Sequence, residues 1–277
     1  MNKSPPLHIK GDYMVKTSNS KKNTKSKKIK NAKEGSIAKK KEAKAKNSKY
    51  KRGSIIEKIK KAKIKDSVMF ELPHYPQTEE FTSSAASAMM VLKYINPDFK
   101  LRREHEYDIW QEAVNGSVWH GSRYGLAYAL AKRGAKVCII SNMKDEGYER
   151  KLAVYENINL DTLAASFNEI REKARSMDID EELAPVSLNM IKKALSAKQI
   201  PIVLIDGKII NPYLESSPHW VVVKGYDKDG FYINDPYSDS TITIDPDVFK
   251  QAIGYDNNHT MIVVDTKSFD KSKIGQE

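Results

Sequence analysis

Thr82-Ser-Ser-Ala-Ala-Ser-Ala-Met-Met-Val-Leu-Lys-Tyr-Ile95 is the stretch whose reading decides the fold. Its middle, Ala85 to Leu92, is apolar on every side, which is the pattern of a helix buried in the centre of a domain. Asn96-Pro97 ends it, because a proline disfavours the helical conformation of the residue before it. Downstream, Leu101 to Val114, Ser122 to Lys132, Leu160 to Ser176 and Ser187 to Ala197 carry helical periodicity. Lys136 to Ile140 is a short β-rich run among them. The later chain turns to strands: Ile200–Ile205, His219–Val223, Gly230–Ile233, Thr241–Ile244 and Thr260–Val264, separated by turn signals such as Asp227-Lys-Asp-Gly230. Helices first and strands afterwards predict an α+β domain with a central buried helix packed on a C-terminal antiparallel sheet.

Upstream of residue 67 the chain is a different material. Residues 1–66 hold 23 Lys+Arg and 5 Asp+Glu, whereas the whole chain of 277 residues has 47 and 36. The net +11 is therefore an average of a basic segment and an acidic domain. Residues 1–53 are Lys, Ser, Asn and Ala with few large apolar groups, too little to offset the entropy of ordering. The expected organisation is a disordered Lys-rich tail over 1–66 and a folded domain over 67–277. Within the tail, Ile55, Ile56, Ile59 and Ile64 among lysines allow a short basic amphipathic helix. The tail is either an electrostatic anchor for nucleic acid or another anionic surface, or a solubilising extension.

Composition excludes several classes. One cysteine, Cys138, allows no internal disulfide and no multi-cysteine zinc site. It lies in an apolar run and reads as a small core residue. No run approaches the roughly 18 apolar residues of a membrane span. The first residues lack the apolar core of a signal peptide, so a cytoplasmic location is expected. There is no glycine-rich phosphate loop, and neither His105 nor His120 has partners at ligand spacing; no cofactor and no metal are expected.

Two polar positions stand out in the strand-rich half. His219 opens a strand in Pro218-His-Trp-Val-Val-Val-Lys-Gly225, and Asp235 ends the next in Asn234-Asp-Pro236. Adjacent antiparallel strands bring the two together, and a carboxylate beside an imidazole fixes its tautomer. The plainer reading makes His219 a satisfied strand-end residue and Asp235-Pro236 a turn. A third element is Gln77-Thr-Glu-Glu-Phe-Thr-Ser83. Ser83 stands at the N-terminus of the buried helix, where free N–H groups and positive dipole potential suit an oxyanion; Thr82 or Ser83 could equally be a simple N-cap.

With Gln77 six residues before Ser83, and with the His-Trp-Val-Val-Val and Asp-Pro motifs, the chain resembles the papain-like cysteine peptidases. The closer resemblance is to the bacteriocin-leader (double-glycine) processing peptidases and their stand-alone relatives, over roughly residues 68–265. Trp110, Gly121 and Gly125-Leu-Ala127 look like that stand-alone branch. The resemblance implies a papain-like fold and peptide cleavage by four residues. Ser83 would be nucleophile, His219 base and acid, Asp235 its orienter and Gln77 an oxyanion donor. The family's Cys-Gly-Pro-Ala falls on Ser83-Ser84-Ala85-Ala86, so the thiol is replaced by a hydroxyl. A hydroxyl does not ionise beside an imidazole as a thiol does, and the swap is expected to remove most activity. The alternative is a degenerate pseudo-peptidase that holds a peptide or protein partner, localised by its basic tail.

Overall fold

The computed structural model describes residues 54–114 and 118–273. Residues 1–53, most of the expected tail, lie outside the described residues. The rest of that tail is corrected. Ile55–Lys61 forms helix α1, capped by the Ser54 hydroxyl, which accepts from the Glu57 N–H at 3.2 Å. Ile55, Ile56 and Ile59 are buried in the main core, while Lys58 pairs with Asp265 and Lys60 with Glu182 at 2.7 Å. Lysines dominate the composition here, but every third or fourth residue is apolar and buries one face. The described fold thus already includes Ser54 to Lys61, ahead of the expected boundary at residue 67. Ile59→Val should therefore cost about 1 kcal/mol in urea unfolding, where a residue in an unfolded tail would cost nothing.

The remaining elements follow in chain order. Strand β1 (Val68–Met69) leads to the central helix α2 (Ser83–Ile95), then α3 (Arg103–Ala113) and α4 (Arg123–Lys132). Next come β2 (Ala135–Ser141), α5 (Tyr148–Tyr155), α6 (Leu160–Ser176), β3 (Asp180–Leu183) and α7 (Leu188–Ser196). The C-terminal part holds β4 (Gln199–Asp206), the one-turn α8 (Gly207–Ile210), β5 (Pro218–Tyr226), β6 (Phe231–Asn234), β7 (Thr241–Ile244), α9 (Pro246–Ala252) and β8 (Thr260–Phe269). The strands form one sheet in the order β3-β2-β8-β4-β5-β6-β7, with β1 on β5. Only the β2–β3 pair is parallel.

This is the α+β architecture that the sequence predicts. Ser83 to Leu92 of α2 are all buried, and the helix lies against β5, where the Ser87 hydroxyl donates to the Trp220 carbonyl at 3.0 Å. Cys138 is buried in β2. Besides the two-residue β1, the one-turn helix α8 and the short 3₁₀ turn Lys271–Lys273, three longer elements escape the sequence reading. Helix α5 is short and places Glu-Arg-Lys in its first turn, α9 starts from Asp245-Pro246 and is short, and β3 (Asp-Glu-Glu-Leu) is an edge strand whose charges blunt its free side. Among the described residues no helix is long and apolar enough to cross a membrane.

Candidate active site

The site is built where the start of β5 meets the end of β6 and the start of α2. The β5–β6 register sets Val222 opposite Asn234, so Asp235 falls beside Val221, two residues from His219 on the same face. The contact is therefore diagonal: His219 Nε2 lies 2.6 Å from Asp235 Oδ1. The same carboxylate oxygen accepts the Tyr237 N–H at 2.9 Å. Both side chains are buried, His219 at 6% exposure and Asp235 at 3%. Burial alone would raise the Asp235 carboxyl. The hydrogen bond and charge of His219 outweigh it, and the carboxyl ends below its ordinary range. With Nε2 committed to Asp235, Nδ1 is the ring nitrogen left for another partner.

Ser83 is the first residue of α2. Thr82 occupies the cap position, but its hydroxyl meets the Glu79 carbonyl at 2.9 Å and Glu106 at 2.5 Å and does not cap the helix. The Ser83 hydroxyl oxygen accepts the N–H of Trp220, the residue after His219, at 3.3 Å. That contact draws the helix terminus against the start of β5. Among the described residues no hydrogen bond joins Ser83 to His219, and Ser83 is 3% exposed.

Gln77 is joined to the same corner by its backbone, whose N–H donates to the Pro236 carbonyl at 2.8 Å. Its side-chain Nε2 donates to the Glu79 and Glu80 carbonyls, at 2.9 and 3.1 Å, and its Oε1 is buried without a partner. The amide donors are thus turned into the 77–80 loop. A residue that sequence reading missed fixes this loop. Glu106 is fully buried and accepts the Thr78 N–H at 2.9 Å, the Tyr75 hydroxyl at 3.0 Å and the Thr82 hydroxyl. Burial, and then the Glu106 charge, push the Tyr75 hydroxyl up to about 12. The signal was present: Glu106, Ile109 and Ala113 share the inward stripe of α3, an acid where the period asks for a hydrophobe.

Beside this corner an open cleft of about 290 Å³ is lined by Pro76, Gln77, Glu79, Glu80, Tyr237 and Asp239. Next to Glu80 in the chain, the Phe81 ring centre lies 4.9 Å from those of both Trp110 and Trp119, and Trp119 is 57% exposed. The corner therefore carries an acidic cleft beside the buried His–Asp pair and an aromatic shelf continuing from that cleft at Phe81. The described residues contain no His/Cys/Asp/Glu group able to hold a metal ion.

The model of the Peptidase_C39 like family matches residues 72–272. A crystal structure described as that of a C39-like peptidase from Bacillus anthracis aligns with a TM-score of 0.46 at 13% identity, covering 74% of this chain and 100% of that one. The comparison with curated proteins gives no match.

Proposed function

Because this chain belongs to the Peptidase_C39 like family, we propose that the corner formed by Ser83, His219 and Asp235 is a peptide-hydrolysing site. The observation that carries this reading is the His219–Asp235 pair, 2.6 Å apart and buried. Burying an ionisable pair is an expensive way to hold two strands together, whereas a carboxylate hydrogen-bonded to an imidazole is what a general base needs to keep its tautomer and accept a proton. Ser83 stands at the helix terminus, where the N–H groups of α2 can take up an oxyanion. His219 removes the Ser83 proton through Nδ1 once the hydroxyl turns from the Trp220 N–H, and returns it to the leaving amine. Asp235 holds the imidazolium between these steps. The extended substrate runs along the acidic cleft and the aromatic shelf.

A second reading has its own support. The Gln77 amide faces its own loop, and the Ser83 oxygen rests on the Trp220 N–H. Both favour a site that holds a peptide without cutting it. Hydrolysis of a broad peptide and ester library separates the two. The peptidase reading expects slow turnover by the wild-type chain and a drop to the buffer blank in Ser83→Ala. Equal rates from both proteins would remove the serine mechanism, and capture of peptides without turnover would establish the holding role.

A further inference from the structure

Ser87 is the one serine beyond the first turn of α2. Its neighbours Ala85, Ala86, Ala88 and Met89 are fully buried apolar residues, and Ser87 is as buried as they are. Packing alone would be served as well by alanine, the better helix former, whereas a buried hydroxyl has to find a partner. Ser87 finds it outside its own helix. Its hydroxyl donates to the Trp220 carbonyl at 3.0 Å, and one turn earlier the Ser83 oxygen accepts the Trp220 N–H at 3.3 Å. Two serines stacked on one face of α2 thus take both backbone groups of the residue that follows His219.

The sheet leaves those groups for the helix to take. The β5–β6 register sets Val222 opposite Asn234, and its continuation would set Trp220 opposite Pro236. Pro236 has no N–H to give the Trp220 carbonyl. Its own carbonyl accepts the Gln77 N–H at 2.8 Å, and β6 stops at Asn234. Ser87 supplies the missing donor. The Trp220 side chain is held as well: its indole N–H donates at 2.9 Å to the Gly121 carbonyl, which also accepts the Tyr148 hydroxyl at 2.5 Å. Gly121 lies so close to α2 that a Cβ there would collide with the Ser84 hydroxyl oxygen. All three polar groups of Trp220 therefore end on α2 or on the loop seated against it, and His219 is the residue just before this anchor.

We propose that Ser87 is a positioning residue for Ser83 and His219: its hydroxyl stands in for the N–H that Pro236 lacks and, with Ser83 one turn before it, locks Trp220 to α2 so that nucleophile and base keep one spacing. The inference deepens the peptidase reading and rests on its assignment of Ser83 and His219 as one working pair. Ser87 is itself fully buried and acts through Trp220.

The test uses the full chain and two readouts. The first is hydrogen exchange of the Trp220 backbone N–H, followed by ¹⁵N NMR. Ser87→Ala suits the helix and should speed that exchange about fivefold, the worth of one ordinary hydrogen bond. The second is iodoacetamide labelling of Ser83→Cys. Adding Ser87→Ala should slow labelling about fivefold at pH 6 and raise its pH midpoint by about 0.7 unit, the same factor expressed as thiolate. Ile139→Val is the control. It removes a comparable amount of stability from β2, which β8 and β4 separate from β5, and should move neither readout. Unchanged Trp220 exchange in Ser87→Ala would overturn the proposal. So would equal changes in Ile139→Val, or faster exchange that leaves an activated Cys at 83 labelling as before. Failure of the peptidase reading shows separately, as Ser83→Cys labelling no faster than a free thiol while Trp220 exchange still depends on Ser87; the same hold then serves a site that binds without cutting.

Discussion

Ser83→Cys should turn an unreactive protein into one that a small alkylating agent labels at a single site. A free thiol has a pKa near 8.5, so roughly 0.3% is thiolate at pH 6. Beside the His219 imidazole and at the N-terminus of a helix, a thiol pKa near 6 falls within the range seen at such positions, giving on the order of 100 times more thiolate. Lower basicity makes each thiolate a poorer nucleophile, with a Brønsted slope of about 0.4–0.5, which returns roughly a factor of ten. The net expectation is iodoacetamide labelling of Ser83→Cys about tenfold faster at pH 6 than that of a free thiol. Cleavage of library peptides should rise above wild type by on the order of 100-fold, because general base assistance no longer has to be concerted with attack. The chain carries its own control. Cys138 is buried, and burial, with Asp180 and Glu182 next, pushes its thiol well above the ordinary value. Wild type should therefore stay unlabelled, as read by intact mass. A Ser83→Cys rate no faster than that of a free thiol would show that Ser83 and His219 do not form a working pair, while labelling of wild type would show only that Cys138 is reached.

Glu149→Gln should flatten the pH dependence of stability. Glu149 begins α5 fully buried, and neither carboxylate oxygen has a hydrogen-bond partner among the described residues. The nearby Arg123 is also buried. It donates to the Met143 and Asp145 carbonyls, at 3.3 and 2.6 Å, yet its Nε and one terminal nitrogen are unpartnered. Burial raises Glu149 from 4.5 to about 7, with Arg123 pulling down and Glu146 pushing up. In the unfolded chain the proton leaves near 4.5 and in the folded chain near 7. Between these values the folded state holds a proton that the unfolded state has released, so stability falls as pH rises through the window. The full loss, complete above pH 7, is about 3 kcal/mol. A Gln side chain does not titrate, so the stability gap between mutant and wild type should grow in the mutant's favour by about 3 kcal/mol between pH 4 and pH 8. Any constant cost of burying the amide cancels in that difference. Urea unfolding at the two pH values measures it, and a gap that does not change with pH would place the Glu149 proton elsewhere.

What the sequence makes legible and what it hides divide along a physical line. The central helix is legible because burial on all sides needs apolar residues on all sides, and Ala85 to Leu92 supply them. The His219–Asp235 contact is legible because two short strands joined by a turn leave few registers, although the pair is diagonal and not directly opposite. The packing of α1 is hidden because its three isoleucines are matched by three lysines and follow a lysine-rich stretch of sequence. The direction of the Gln77 amide is hidden because two carbonyls only two and three residues away compete for its donors.

The place of β8 in the sheet sets a condition on how the protein is made. It is the last strand among the described residues, yet it lies between β2 and β4, bonded to both. Until Thr260–Phe269 leaves the ribosome, β2 and β4 expose their hydrogen-bonding edges to each other and to other nascent chains. The β2 and β4 strands cannot be joined before β8 is made, and a chain stopped before it lacks an interior strand of the sheet. The His219–Asp235 corner is then complete in sequence but has no closed sheet to stand on, so a prematurely terminated product carries no assembled site.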